Sequence, residues 1–111
     1  MENKEERVYN LLKRLPKGKV TTYGIISRKT GLSPKEVGRI LSRNKHPIEF
    51  PCYKVVMSDG TVGGYTIGGR NDESTAKRKI QKLHADKVIF NKGKIAKKSL
   101  YDFDLPKLVS P

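Results

Sequence analysis

The sequence has little that would tie it to a disulfide framework, a metal site or a membrane. Its 111 residues contain one cysteine, two histidines and no tryptophan. One cysteine excludes an internal disulfide, and no Cys and His cluster has zinc spacing, so we expect neither metal nor cofactor. No apolar run approaches the roughly 18 residues of a membrane span. The acidic start lacks the apolar stretch of a secretory signal. We therefore expect a monomer that is not secreted and not membrane-bound, in the cytoplasm (nucleoid-associated) or the nucleus.

Acidic residues are also scarce, and the resulting basic excess dominates the composition. Lys and Arg number 24 against 11 Asp and Glu, a formal net charge of +13. Each half of the chain holds twelve basic residues, so the charge is not confined to a tail. Such an excess favours a polyanionic partner, most often nucleic acid, although solubility alone would also account for it. Residues 87–98 contain five lysines and no acid, a pattern more typical of a solvated face than of a phosphate contact.

Hydrophobic periodicity predicts one mainly α-helical domain with a small β-hairpin (α+β). The domain covers residues 1–111, with 1–4 and about 104–111 as flexible tails. Helical spacing of apolar residues predicts helices over 5–14, about 23–30, 34–43 and 73–84. The β-prone runs 53–57 and 61–65 flank an Asp-Gly turn and predict the hairpin. In the second and fourth helices, the residues expected to be buried are Ile25, Ile26, Ala76, Ile80 and Leu83.

The clearest local signal is the start of the third helix at Ser33-Pro34-Lys35-Glu36. Ser33 is a favourable N-cap, Pro34 suits the first helical position, and Glu36 completes a capping box. One side of this helix is apolar, and the other carries Lys35, Gly38, Arg39, Ser42 and Arg43. Together with the preceding helix and a turn at Gly31, the pattern predicts a winged-helix-like helix-turn-helix domain. An ordinary helical hairpin with a solvated face fits the pattern about equally well.

Cys52 is the candidate nucleophile. A lone cysteine is most often a small buried hydrophobe. Lys54, two residues further on, favours the reactive reading, because a nearby positive charge lowers the pKa of a thiol and the thiolate is the nucleophile. By itself this signal is weak.

The residues around Cys52 resemble the O6-alkylguanine-DNA alkyltransferase family. Pro51-Cys52-Tyr53-Lys54-Val55 is similar to the Pro-Cys-His-Arg-Val box of that family. Three further segments match in order: Val20–Gly24, then Val37-Gly38 with Asn44 eight residues before the cysteine, and Gly60–Tyr65. The resemblance covers about residues 5–95. It implies binding of duplex DNA carrying an alkylated base, extrusion of that base, and irreversible transfer of the alkyl group to the cysteine, without a cofactor.

The resemblance also implies roles for individual residues. Cys52 would accept the alkyl group. Tyr23 would press on the phosphate of the flipped nucleotide, and Asn44 would brace the loop that leads to the active site. The full DNA-binding set would be Tyr23, Lys35, Gly38, Arg39, Arg43 and Asn44. The base pocket would be formed by Pro47, the Val55 carbonyl, Tyr65 and Thr66. Each of these residues, taken alone, also fits an ordinary core, turn or cap position.

The sequence departs from the family pattern at several places. Lys35 stands where the family has an arginine that fills the gap left by the flipped base, and lysine lacks the planar guanidinium. Tyr53 replaces a histidine of the proton relay, and a tyrosine is a poor base at neutral pH. The relay glutamate falls at about His84, after an insertion near 67–74. His84 as a replacement base and Lys54 as a cation beside the thiolate are therefore the remaining catalytic candidates. The amino-terminal domain usual in the family has no counterpart in this sequence.

These observations leave several functions open. The retained Cys52 favours a methylated-DNA–protein-cysteine methyltransferase, which acts once. The altered relay and the short chain favour a relative of the alkyltransferase-like proteins, which bind the lesion without accepting the alkyl group. An enzyme that hydrolyses a different damaged base in the same pocket is a third hypothesis, and a helix-turn-helix regulator is a fourth.

Overall fold

The computed structural model describes residues 3–46, 48–63, 73–101 and 103. Over those residues the domain is mainly α-helical with two small sheets, which confirms the predicted fold class. None of the helices there is long and apolar enough for a membrane span. The elements in chain order are α1 (Lys4–Lys13), β1 (Thr21–Thr22), α2 (Tyr23–Thr30), α3 (Pro34–Ser42), a 3-10 turn (Cys52–Lys54), β2 (Val55–Val56), α4 (Glu73–Ala85), β3 (Phe90–Asn91), β4 (Lys94–Ile95) and a second 3-10 turn (Lys97–Ser99).

Helix α1 begins earlier than the sequence pattern indicates. The Asn3 side chain accepts from the Glu6 amide at 2.8 Å, and the Glu6 carboxylate accepts from the Asn3 amide at 3.0 Å. This reciprocal capping box stabilises the first turn. Lys4, expected in a flexible tail, is therefore part of the helix.

Helices α2 and α3 form the predicted helix-turn-helix. Gly31 follows α2 with φ of 79°, a left-handed conformation that glycine adopts without steric cost. Ser33 caps α3 by accepting from the Glu36 amide at 3.1 Å. The Glu36 carboxylate accepts instead from Lys4 of α1 at 2.8 Å, so the predicted capping box is formed in one direction. Ile25, expected to be buried, is half-buried.

The two-residue strands β1 and β2 pair in parallel, with Thr21 opposite Val55 and Thr22 opposite Val56. Over the described residues the predicted hairpin of 53–57 with 61–65 is therefore not formed, and residues 64 and 65 lie outside them. The turn itself is present, because the Met57 amide donates to the Thr61 carbonyl at 2.9 Å. Residues 61–63 form no strand, because the partner of β2 is the buried segment before α2. The antiparallel hairpin of the described residues is β3–β4.

Helix α4 turns a different face inward from the one predicted. Its buried residues are Thr75, Lys79 and Leu83, at helical spacing, whereas Ile80 is 38% exposed and Ala76 is half-buried. Apolarity alone points to Ile80, but the Lys79 ammonium has a carbonyl partner in the interior. A buried cation with a hydrogen-bond acceptor costs much less than an isolated one, so the stem of Lys79 can pack inside.

Two clusters of buried residues hold these elements together. The first joins α1, α2 and α3 and includes Cys52 and Val55. The second joins α4 to the two sheets through Val20, Val56 and Leu83. Cys52 and β2 therefore lie where the helix-turn-helix meets the rest of the domain.

Candidate functional site

The outer face of α3 is open and basic. Lys35 and Arg39 are exposed on the helix, and Arg43 is exposed at its C-cap. Between them lies Gly38, where an added Cβ would meet no atom within 4 Å. The fold therefore places no steric demand for glycine there, although glycine costs about 0.5–1 kcal/mol relative to alanine inside a helix. A bare backbone between three cations is suited to close approach by a polyanion.

Parallel pairing of β1 and β2 brings the start of α2 beside Cys52. Strand β1 leads directly into Tyr23, and β2 directly follows the 3-10 turn of Cys52. Burial raises the pKa of the Tyr23 hydroxyl, and the ionised Cys52 raises it further. Two residues 29 positions apart thus lie within electrostatic reach of each other.

Asn44 ties down the loop between α3 and the cysteine. Its Nδ2 donates to the Phe50 carbonyl at 2.7 Å, and its Oδ1 accepts from the His46 amide at 2.9 Å. The Phe50 carbonyl also accepts from the Cys52 amide at 2.7 Å. The bracing role implied for Asn44 stays a prediction, and these are the contacts on which it rests.

The Cys52 side chain is 9% exposed, at the first position of its 3-10 turn. Burial raises the pKa of the thiol, because the charged thiolate is the form that loses hydration. A hydrogen bond from Asn44 and the positive charges of Lys79 and Lys82 oppose this shift. The thiol is therefore buried, yet surrounded by groups that stabilise its anion.

Lys79 is the site residue that the sequence reasoning missed. It is 1% exposed, and its Nζ donates to the Val55 carbonyl at 2.7 Å. Burial lowers the pKa of Lys79 to about 8, and the negative charge of Cys52 raises it. The sequence held one signal for this residue: Lys79 lies four residues after Thr75 and four before Leu83, and so shares their buried face of α4. An amphipathic pattern favours apolar residues for that face, so Lys79 was not predicted to be buried.

The partners of the Lys54 ammonium differ from the expected one, which was the thiolate of Cys52. Its ammonium contacts the Asp86 carboxylate at 2.8 Å and the Pro16 carbonyl at 2.9 Å. The same carboxylate oxygen accepts from the Gly18 amide at 2.9 Å. The expectation that Lys54 acts as the cation beside the thiolate is therefore replaced by one in which Lys79 and Lys82 do so. Lys54 instead fastens the 3-10 turn of Cys52 to the end of α4.

The relay roles considered for Tyr53 and His84 stay predictions, and the structure shows the surroundings of each side chain. Burial raises the pKa of the half-buried Tyr53, and Asp86 raises it further, which weakens the phenol as an acid. His84 is exposed on α4, and its ring stacks on Phe90 with 4.5 Å between the centroids. The acidic side chain near Tyr53 is Asp86. It lies two positions after residue 84, where the family resemblance places the relay glutamate.

Three predicted pocket residues, Pro47, Tyr65 and Thr66, lie outside the described residues. The fourth, Val55, is buried, and its carbonyl accepts from Lys79. No group of three or more metal-ligating side chains comes together in the part of the chain that the structure describes.

The fold and the site define a helix-turn-helix domain with a buried cysteine beside its first helix. Residues 3–88 match the family model described as "6-O-methylguanine DNA methyltransferase, DNA binding domain", and the chain belongs to that family. A bifunctional methyltransferase/endonuclease of Picrophilus torridus is 42% identical over 90 residues, covering 79% of this chain and 28% of that protein. A methylated-DNA–protein-cysteine methyltransferase of Pyrobaculum aerophilum is 46% identical over 54 residues, covering 49% of this chain and 36% of that one. The chain thus spans about a third or less of these relatives.

Solved structures agree with this assignment. The O6-methylguanine-DNA methyltransferase of Pyrococcus kodakaraensis superimposes with a TM-score of 0.62 at 35% identity, over 74% of this chain and 44% of that one. Atl1 of S. pombe, solved with damaged DNA containing O6-carboxymethylguanine, gives a TM-score of 0.73 over 91% of this chain and 98% of that one. At 22% identity the second likeness shows the fold alone.

Proposed function

We propose that the protein binds O6-alkylguanine in duplex DNA and transfers the alkyl group irreversibly to Cys52. The observation that carries the proposal is the position of Cys52. It is buried at the end of a loop held by Asn44, and Lys79 and Lys82 favour its thiolate. This arrangement lies in a chain that belongs to a methyltransferase family.

In the proposed transfer, the Cys52 sulfur attacks the alkyl carbon on O6 of the guanine. A carbon–sulfur bond forms and the carbon–oxygen bond breaks, with its electron pair left on the base. The thiol proton is released, and the departing guanine takes up one proton. For this attack the protein must provide a thiolate, and a buried positive charge supplies the main stabilisation of that anion.

Lys79 supplies that charge in this proposal. With a pKa of about 8, the Lys79 amine is protonated in most molecules at pH 7. Cys52 itself begins as a thiol at that pH, because burial raises its pKa. The transfer therefore requires the thiol to lose its proton, and the positive charge of Lys79 favours that loss.

Binding to DNA would occur through the exposed face of α3. Lys35, Arg39 and Arg43 would meet phosphates, and the bare backbone at Gly38 would allow the helix to approach closely. Tyr23 would contact the nucleotide next to the cysteine. A damaged base inside the stack cannot reach a thiol, so it must be turned out of the duplex.

A non-transferring lesion binder is the second candidate. It is supported by the raised pKa of the Cys52 thiol and by Tyr53, which offers no base at neutral pH. Binding of the lesion is common to both candidates, and the fate of the alkyl group separates them.

Intact-protein mass after incubation with a duplex containing one O6-methylguanine tests the proposal. We expect the gain of one methyl group, located at the single cysteine, and no gain with the unmodified duplex. Cys52→Ser is the matched control and should bind the lesion without gaining mass. Tight lesion binding by the natural protein with no mass change would establish the binder instead. Release of a free base would indicate hydrolysis, and equal affinity for damaged and undamaged duplexes would refute both candidates.

A further inference from the structure

A second basic surface lies apart from helix α3, on the segment 87–98, which contains β3 and β4 and is called here the lysine hairpin. Its five lysines are all exposed: Lys87, Lys92, Lys94, Lys97 and Lys98. The segment contains no acidic residue. The proposed contact of α3 with DNA leaves this charge unused.

The backbone of the lysine hairpin is unusual at two of these lysines. Among the described residues, Lys87 (φ 68°) and Lys92 (φ 56°) are the two non-glycine residues in the left-handed region. Lys92 and Gly93, both with positive φ, form the two-residue turn between β3 and β4. Asparagine, aspartate or glycine is the usual residue at the position of Lys92, because a lysine there pays a steric cost. Lys87 takes this conformation as the cap of α4, since the Val88 amide donates to the Leu83 carbonyl at 3.1 Å.

A continuous set of contacts joins the lysine hairpin to the start of α2. The Ile95 amide donates to the Gly60 carbonyl at 2.8 Å, so β4 lies against the 57–61 turn. In that turn, Ser58 Oγ lies 2.9 Å from the place a Cβ would take on Gly24. Gly24 directly follows Tyr23, which lies within electrostatic reach of Cys52. The hairpin is therefore linked through the 57–61 turn to the end of α2 at which the flipped nucleotide would be held.

We infer that the lysine hairpin is a second contact for the phosphate backbone of the DNA, at the flank of the lesion next to Tyr23. The inference rests on the proposed function, because it takes duplex DNA as the partner. Five exposed lysines on one short segment provide cations on the part of the fold that packs, through β4, against the 57–61 turn. These contacts carry no sequence information, so they add affinity and orientation but leave lesion preference unchanged.

Salt dependence of binding tests this contact. The variant is Lys92→Ala with Lys94→Ala, measured on a duplex that extends a full helical turn beyond the lesion on both sides. Each lost phosphate contact should flatten the slope of log affinity against log salt by about 0.9, or about 1.8 for the pair. The ratio of affinities for damaged and undamaged duplex should stay constant. Lys92→Arg with Lys94→Arg retains both charges and should retain the slope.

The matched control is Lys77→Ala with Arg78→Ala, which removes the same charge from exposed positions on α4. It should keep the slope of the natural protein, and thermal melting should show that both alanine variants are folded. An unchanged slope in the hairpin variant, or an equal change in the control, would overturn the inference and leave the proposed function standing. Absence of any salt-dependent binding by the natural protein would refute the proposed function itself.

Discussion

Gly38 offers a test in which folding and binding are expected to change in opposite directions. It is the fifth of nine residues in α3, and a Cβ placed there would meet nothing within 4 Å. Gly38→Ala should therefore stabilise the helix by about 1 kcal/mol, since alanine restricts the unfolded chain without a clash in the folded one. For a domain of this size, that gain raises the melting temperature by about 5 °C.

The same methyl group should weaken binding to DNA. If the backbone at Gly38 approaches the duplex closely, the added carbon forces the two surfaces apart. Overpacking of this kind costs about 1–3 kcal/mol, which corresponds to a loss of affinity of about fivefold to 140-fold. Calorimetric melting and a fluorescence-anisotropy titration with damaged duplex measure the two effects.

Gly31→Ala is the matched control for the folding half of this test. A Cβ at Gly31 also meets nothing within 4 Å, but its φ of 79° is unfavourable for alanine. This variant should lose about 1 kcal/mol, so the same chemical change has the opposite sign because the backbone differs. A loss of stability in Gly38→Ala would refute the reasoning about α3. Higher stability with unchanged affinity would show that no partner approaches Gly38.

Four further predictions concern the cysteine, the contacts that hold its surroundings, and Lys35 of α3. Lys79→Met should raise the pKa of the Cys52 thiol and slow its reaction with iodoacetamide at pH 7, because the buried positive charge is lost; an unchanged pH profile of labelling would contradict this. Asp86→Ala should reduce the free energy of unfolding in urea by about 3 kcal/mol, since the buried Lys54 would lose its carboxylate partner and keep a carbonyl partner, while the Gly18 amide would lose its acceptor, and a loss below about 1 kcal/mol would show that the pair is solvated. Asn44→Ala should slow alkyl transfer in single-turnover assays while DNA affinity is retained, because the loop before Cys52 loses its tie to Phe50; equal losses of rate and affinity would assign Asn44 to DNA binding. Lys35→Arg should raise lesion affinity if Lys35 fills the gap left by the flipped base, and no gain would exclude that role.

Local signals in the sequence predicted the helical part of the fold well. Ser33, Pro34 and Gly31 specify caps and turns within a few residues, and short-range rules describe such features adequately. The hairpin was misplaced because β2 pairs with Thr21–Thr22, more than thirty residues away, and strand propensity carries no information on partner choice. The Lys92-Gly93 turn was missed because lysine is rare in left-handed turns.

Electrostatic partners were the part of the site least accessible to sequence reasoning. Motif spacing located Cys52, Asn44 and Tyr23, and the structure brings these three close together. The partners of Lys54 and the burial of Lys79 depend on how α4 docks, and that docking is set by tertiary packing. A rule that places lysine at the surface fails when a carbonyl in the interior accepts its ammonium.

The link between Lys54 and Asp86 has a consequence for the order in which the protein is made. The 3-10 turn of Cys52 is fastened through Lys54 to a carboxylate 32 residues later in the chain, and that carboxylate also accepts from Gly18. A nascent chain whose ribosome has passed Cys52 therefore already carries the cysteine but lacks the anchor that fixes its turn. The turn is completed only after Asp86 has left the exit tunnel, so the thiol reaches its buried environment only once this later segment has been made.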